Sequence, residues 1–320
     1  MKKIILFFLL FSKMVFGQES SNKTIYLDSL FNETTRGNHK YYRVIKDYYL
    51  DKKTYMFTDY YSSGKIESQA LSIDKEHLIK EGEFITYYEN GNKKTRTTYE
   101  EGVINGKCSY WYENGEKKID GEFIPFTLKD TNFQILKIIN YWDENEIQKV
   151  TDGNGYFKDD ECFFYYKVGP ISEGKIKDGF KDGIWTGNNK QTGLTFEENY
   201  ENGVLISGTS IDKNNEKHFY SVVEKKPDIK GGMLVFYTYI KKNFKTPDIP
   251  GLKGKIITNF IINENGEVCN LKITRSLHPD VDKEAIRVLT NFKDFSPAVQ
   301  RGIKVKCSYT IPIFIETPNE

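Results

Sequence analysis

An excess of charge of either sign is missing from this chain: Lys and Arg total 46 against 45 for Asp and Glu over 320 residues. That balance excludes bulk electrostatic attraction to nucleic acid or to an anionic membrane surface. Alanine and leucine are sparse, which argues against helical bundles. Cysteine is limited to Cys108, Cys162, Cys269 and Cys307, widely spaced and without a C-x-x-C pair, so no metal site or redox motif is expected. Two readings of the four stand side by side: small hydrophobes on strands, or disulfides in an oxidising compartment. Phosphate-cradling glycine motifs are absent, because the glycines sit in turns between strand-like runs. His39, His77, His218 and His278 lie far apart, and none joins a Ser/Asp or carboxylate cluster at recognisable spacing. These absences predict a protein that is not an enzyme, with no cofactor and no metal.

What the chain has in quantity is aromatic residues. Phe, Tyr and Trp make up 15%, a composition that favours strands, and the length suits two domains that each bury a core. The leader carries Lys2, Lys3, an apolar run from Ile4 to Phe11 and a Val15-Phe16-Gly17 ending, the layout of a signal peptide over residues 1–17. The run is far short of the roughly 20 residues of a spanning helix, and Lys13 interrupts it. Export to the periplasm with cleavage before Gln18 is therefore expected, with a retained inner-membrane anchor as the alternative. No cysteine stands at the cleavage point to accept a lipid. Residues 18–40 are polar and aperiodic and read as an irregular lead-in.

A repeat organises residues 41–213. Tyr87-Tyr88-Glu89-Asn90-Gly91-Asn92-Lys93-Lys94 returns as Trp111-Tyr112-Glu113-Asn114-Gly115-Glu116-Lys117-Lys118. A second turn, Glu101-Gly102 to Gly106, returns as Asp178-Gly179 to Gly183 and Asn202-Gly203 to Gly208. Fixed-period self-similarity marks units that bury their apolar faces only against neighbours. Asn-Gly between strand-length runs predicts a type I′ hairpin, with positive φ at both central residues. Phe84 to Tyr88 is then expected to pair with Lys93 to Tyr99. In the middle, Tyr141-Trp142-Asp143-Glu144-Asn145 keeps the pattern while Glu146 replaces the turn glycine. The charged, proline-containing residues 214–230 read as a short linker.

Residues 231–316 have a different texture. Gly231-Gly232 precedes a segment in which Leu234, Phe236, Tyr237 and Ile240 predict a short amphipathic helix, ended by Pro247 and Pro250. Gly254 to Ile262 and Val268 to Ser276 read as strands joined at Asn265-Gly266. Pro279 opens a second helix with an apolar stripe of Val281, Ala285, Val288, Leu289 and Phe292. Ile303 to Ile315 is expected to be one closing strand.

Two resemblances follow from these residues. The Y-x-E-N-G and G-x-x-x-G turns resemble a MORN-like repeat of the YwqK type. The Gly-Gly pair, the Asn-Gly hairpin, Arg275-Ser276, Asp282-x-Glu284-Ala285, Ser296-Pro297-Ala298 and Pro312-x-Phe314 resemble the C-terminal domain of TonB-type energy transducers. Thr246-Pro247 stands where that family usually has Tyr-Pro, and Phe295 where it usually has Trp. The resemblances imply a mainly β plus α+β protein: an antiparallel hairpin repeat sheet, then a three-stranded antiparallel sheet of order 2-1-3 with two helices.

The TonB resemblance also implies a function. The outer side of the third strand would take up an extended segment of an outer-membrane TonB-dependent receptor, or a similar envelope protein, by strand addition. Carried over by position, the gripping residues are Lys304, Val305, Lys306, Cys307, Ser308 and Tyr309. A homodimer through the same edge is the other partner considered. The prolines are scattered and form no spacer, so energy transduction itself is not expected. The alternative function is a structural or envelope-binding repeat protein whose terminal domain serves packing or dimerisation.

Overall fold

Alternating aromatic and β-branched residues need a partner strand to cover each face, and hairpin turns supply that partner from the next stretch of chain. The computed structural model describes residues 21–128, 131–159 and 170–318; the expected signal peptide and Cys162 lie outside them. The chain divides into two units, at Gly153 and Asn154. No helix among the described residues is long and apolar enough to cross a membrane.

The first unit is a meander of β1 (Lys23–Leu27), β2 (Tyr41–Ile45), β3 (Tyr55–Tyr61), β4 (Ile66–Ser72), β5 (Lys80–Tyr87), β6 (Lys93–Glu100), β7 (Val103–Ile104), β8 (Gly106–Trp111), β9 (Lys117–Leu128), β10 (Thr131–Trp142) and β11 (Gln148–Thr151). Neighbours along the chain pair antiparallel, and β8 also joins β6 across the short β7. The lead-in is thus not wholly irregular. Lys23 to Leu27 align with Ile45 to Tyr41, and burial of Leu27 holds them there.

The type I′ geometry expected at Asn90-Gly91 is found at the second turn motif instead. At Asn90-Gly91 only the glycine takes positive φ, 100°. Asn90 instead accepts Asn92 N–H on its side-chain oxygen at 2.8 Å, and Asn114 does the same for Glu116 at 3.0 Å. An asparagine spent on a side-chain turn has no need of the left-handed region. Positive φ at both central residues occurs at Glu101-Gly102, Asp178-Gly179 and Asn202-Gly203, so the type I′ turns belong to the second motif. Glu146 keeps the first motif's turn without its glycine, at φ 62°, with its N–H on Asp143 O at 2.9 Å.

Tyrosine hydroxyls fasten one repeat to the next. Tyr61 Oη donates to Tyr87 O at 2.7 Å, Tyr88 Oη to Trp111 O at 2.9 Å and Tyr112 Oη to Trp142 O at 2.9 Å. The donors occupy one position of the repeat, whose carbonyl accepts the N–H of the turn residue three further on, and Asp143 follows them there without a phenol. Asn90 Nδ2 and Asn92 Nδ2 add bonds to Glu113 O at 2.7 and 2.9 Å.

The second unit opens with β12 (Asn154–Asp159), β13 (Ile171–Lys177), β14 (Phe180–Asn189), β15 (Leu194–Glu201), β16 (Val204–Ile211) and β17 (Lys217–Tyr220), from β12 to β17 again paired in chain order. Phe157, Gly174, Trp185, Glu198, Gly208 and Tyr220 stand opposite one another in a single row across these strands. Rings cover the glycines: a Cβ on Gly174 would fall 2.5 Å from Trp185, and one on Gly208 would fall 2.3 Å from Tyr220.

Then come β18 (Glu224–Lys225), β19 (Asp228–Ile229), α1 (Met233–Asn243), β20 (Lys253–Ile262), β21 (Val268–Arg275), α2 (Pro279–Thr290), β22 (Phe295–Ser296), β23 (Ala298–Gln300), β24 (Ile303–Val305) and β25 (Cys307–Glu316). The stretch expected to be a linker, 214–230, holds β17, β18 and β19. The last two pair with β23 and β22. The main sheet has the order β21-β20-β25.

Helix α2 follows its sequence signals. His278 caps it by accepting Asp280 N–H at 3.2 Å, Pro279 is its first residue, and Val281, Ala285, Val288 and Leu289 are fully buried. Each large apolar side chain so buried is worth about 1.5–3 kcal/mol. Helix α1 differs from expectation. Phe236 is buried and Tyr239 and Ile240 pack beside it, whereas Leu234 and Tyr237 are 77% and 58% exposed. One helical face passes through 236, 239, 240 and 243, and 234 and 237 lie off it. Phe295 is 2% exposed, ringed by Phe236, Phe260, Phe292 and Tyr309.

Candidate functional site: the outer edge of the terminal sheet

Strand β25 pairs with β20 from Ile262↔Cys307 to Lys253↔Glu316. Its other side has no partner strand among the described residues. Which backbone groups lie on that side follows from β20. Ile257 O accepts the Thr274 hydroxyl at 3.1 Å, and Ile261 O accepts the Cys269 thiol at 3.4 Å. Odd-numbered residues of β20 therefore turn their polar groups toward β21, and even-numbered ones turn toward β25. Through the register, Cys307, Tyr309, Ile311, Ile313 and Ile315 face β20, while Ser308, Thr310, Pro312, Phe314 and Glu316 face outward. Thr317 N–H on Leu252 O at 3.0 Å continues this parity. Pro312 sits where a strand can tolerate it, with its nitrogen away from the ladder.

The six residues expected on this edge divide among three settings. Lys304 and Val305 belong to β24 and pair with Val299 and Ala298. Lys306 is a link, 3.9 Å from Glu264. Cys307, Ser308 and Tyr309 begin β25, where only Ser308 directs its backbone outward, and the Tyr309 ring packs on Phe260 and Phe295. The expected single strand from Ile303 is broken because Arg301-Gly302, at φ 48° and 82°, fold 303–305 back on 298–300 before the chain starts again at Cys307. Among the described residues, Cys108, Cys269 and Cys307 are free thiols.

Sequence reasoning missed Arg301 altogether. Its Nε donates to Glu198 Oε1 at 2.9 Å with side-chain exposures of 4% and 0%. Its guanidinium lies 3.9 Å over the Phe196 ring, and its carbonyl accepts Ser210 Oγ–H at 2.7 Å. Tyr200 and Tyr220 hydroxyls donate to the Glu198 carboxylate at 2.9 and 2.8 Å. Burial beside that carboxylate pushes the Tyr220 phenol up, and burial pulls Lys181 down to about 8. The only local signal was Arg-Gly at a hairpin turn, and its socket is built from residues far back in the chain.

The four histidines remain dispersed. His218 Nε2 lies 3.4 Å from Asp212 Oδ2, with Glu216 nearby, but Asp212 already caps that turn by accepting the Asn214 and Glu216 N–H groups.

The terminal fold is thus that of a small α+β module whose three-stranded sheet leaves the outer sides of β25 and β21 without a partner strand among the described residues. Residues 249–314 match the family described as Gram-negative bacterial TonB protein C-terminal, and residues 80–101 match the MORN repeat variant. The chain therefore carries a TonB C-terminal domain preceded by MORN-like repeats. No curated protein matches the chain.

Proposed function

We propose that this is a periplasmic interaction protein of the cell envelope, linked to transmembrane transport, which takes up an extended segment of an outer-membrane receptor by strand addition along β25. The observation that carries this reading is the row of outward-facing groups from Ser308 to Glu316, a template that bonds any extended backbone without demanding a particular sequence. The TonB match supports the class of partner. Burial of Arg301 against Glu198 argues against a freely swivelling terminal domain, and deleting residues 231–320 would leave Glu198 without its cation. A point substitution is the cleaner test. Thr310→Pro removes one outward N–H and keeps the backbone ladder to β20, at the loss of the exposed Asn259 Nδ2 bond to Thr310 Oγ1. Immobilised wild-type protein is expected to retain a receptor from outer-membrane extracts, and Thr310→Pro to lose it while keeping its thermal midpoint. Equal retention by a folded Thr310→Pro protein would assign capture to another surface.

A further inference from the structure

The outer edge of β25 is not uniform. Its outward donors are the N–H groups of Ser308, Thr310, Phe314 and Glu316, with a gap at Pro312, where only the carbonyl remains. The side chains of these same residues lie on the solvent face of the sheet, and that face is uneven too. Thr310 Oγ1 and Ser308 Oγ are tied to Asn259 Nδ2 at 3.0 and 3.2 Å, and Glu316 pairs with Lys253 at 2.7 Å. Phe314 stands 74% exposed. Opposite it on β20 is Lys255, and its other flank opens onto the bare edge. An exposed phenyl ring beside an unfilled strand position has room for one cross-strand neighbour, and aromatic pairs are among the strongest such contacts.

We propose that β25 selects extended segments carrying a bulky aromatic side chain, placed on the solvent face against Phe314, with the backbone ladder interrupted opposite Pro312. This rests on strand addition at that edge. Phe314 supplies the preference, and Pro312 divides the ladder into a Ser308–Thr310 part and a Phe314–Glu316 part.

The probes are two nine-residue threonine peptides with lysine ends, one with a central tryptophan and one with a central serine, labelled for anisotropy and titrated with the full chain. Wild type is expected to bind the tryptophan peptide about tenfold more tightly. Phe314→Ser should abolish that difference. Pro312→Ala, which restores a donor, should tighten both peptides about fivefold. Equal binding of the two peptides by wild type, or a preference that survives Phe314→Ser, overturns the selection by Phe314 and leaves strand addition standing. An unchanged affinity in Pro312→Ala overturns the divided ladder. Failure of wild type to bind either peptide at millimolar concentration overturns strand addition and the selection together.

Discussion

Arg301 and Glu198, 103 residues apart in sequence, meet through a 2.9 Å bond between Nε and Oε1 with both side chains withdrawn from water. Arg301 reaches Glu198 from a left-handed backbone at φ 48°, a conformation that an arginine adopts only at a cost. The carboxylate is already held by two tyrosine hydroxyls. The pair therefore fixes the tip of the β23–β24 hairpin to the face of β15 and β16.

Removing one partner of a buried pair strands the other. Arg301→Met is expected to cost about 3–5 kcal/mol, read from urea unfolding of the full chain. The double variant Arg301→Met with Glu198→Gln should recover a large part of the loss. A single variant within about 1 kcal/mol of wild type would show that the contact contributes little.

Lys181 makes stability depend on pH. Its ammonium lies 4.1 Å over Trp185 and 5.1 Å over Tyr200, and desolvation takes it from 10.5 to about 8. Between those values the unfolded chain holds the proton and the folded chain releases it, so stability rises with pH across that window. Below it the penalty is fully present. Relative to Lys181→Met, wild type should gain up to about 3 kcal/mol between pH 8 and 10.5, reduced to the extent that the partly exposed stem admits water. Parallel unfolding curves for the two proteins would contradict this.

The hydroxyl fastenings predict a graded response. Tyr88→Phe and Tyr112→Phe each remove one hydrogen bond between repeats and keep the ring, and each should lower stability by about 1 kcal/mol. Hydrogen exchange should quicken chiefly around the abandoned acceptor.

Glu146 occupies a turn position that its relatives in the chain give to glycine. Glu146→Gly removes the left-handed strain at φ 62° and is expected to stabilise by about 1 kcal/mol, seen as a higher thermal midpoint. An unchanged or lower midpoint would mean that the gain is cancelled by the freedom glycine adds to the unfolded chain.

Much of the architecture was legible because it depends on local chemistry. Asn-Gly and Asp-Gly pairs announce hairpins, and Pro279 with the 281, 285, 288, 289 stripe announces α2. What escaped depends on partners distant in sequence. Asn90 reads as a left-handed residue until its side chain is seen to take the turn bond itself. Leu234 and Tyr237 look like part of an apolar stripe until Phe236 shows which face the core covers. The break at Lys306 is invisible in a continuous β-rich run, because it is set by an Arg-Gly turn whose arginine is held by Glu198.

The seat of Arg301 has a mechanical side. Ser308, the first outward-facing residue of the edge, follows Arg301 by only seven positions, with Gly302 and the short β24 between them. Tension drawn on a captured segment would run back along that length into a buried ionic anchor and from there into Ser210 and β16. A tug at the grip would be felt as shear in the repeat strands of this unit, with no slack tether to absorb it first.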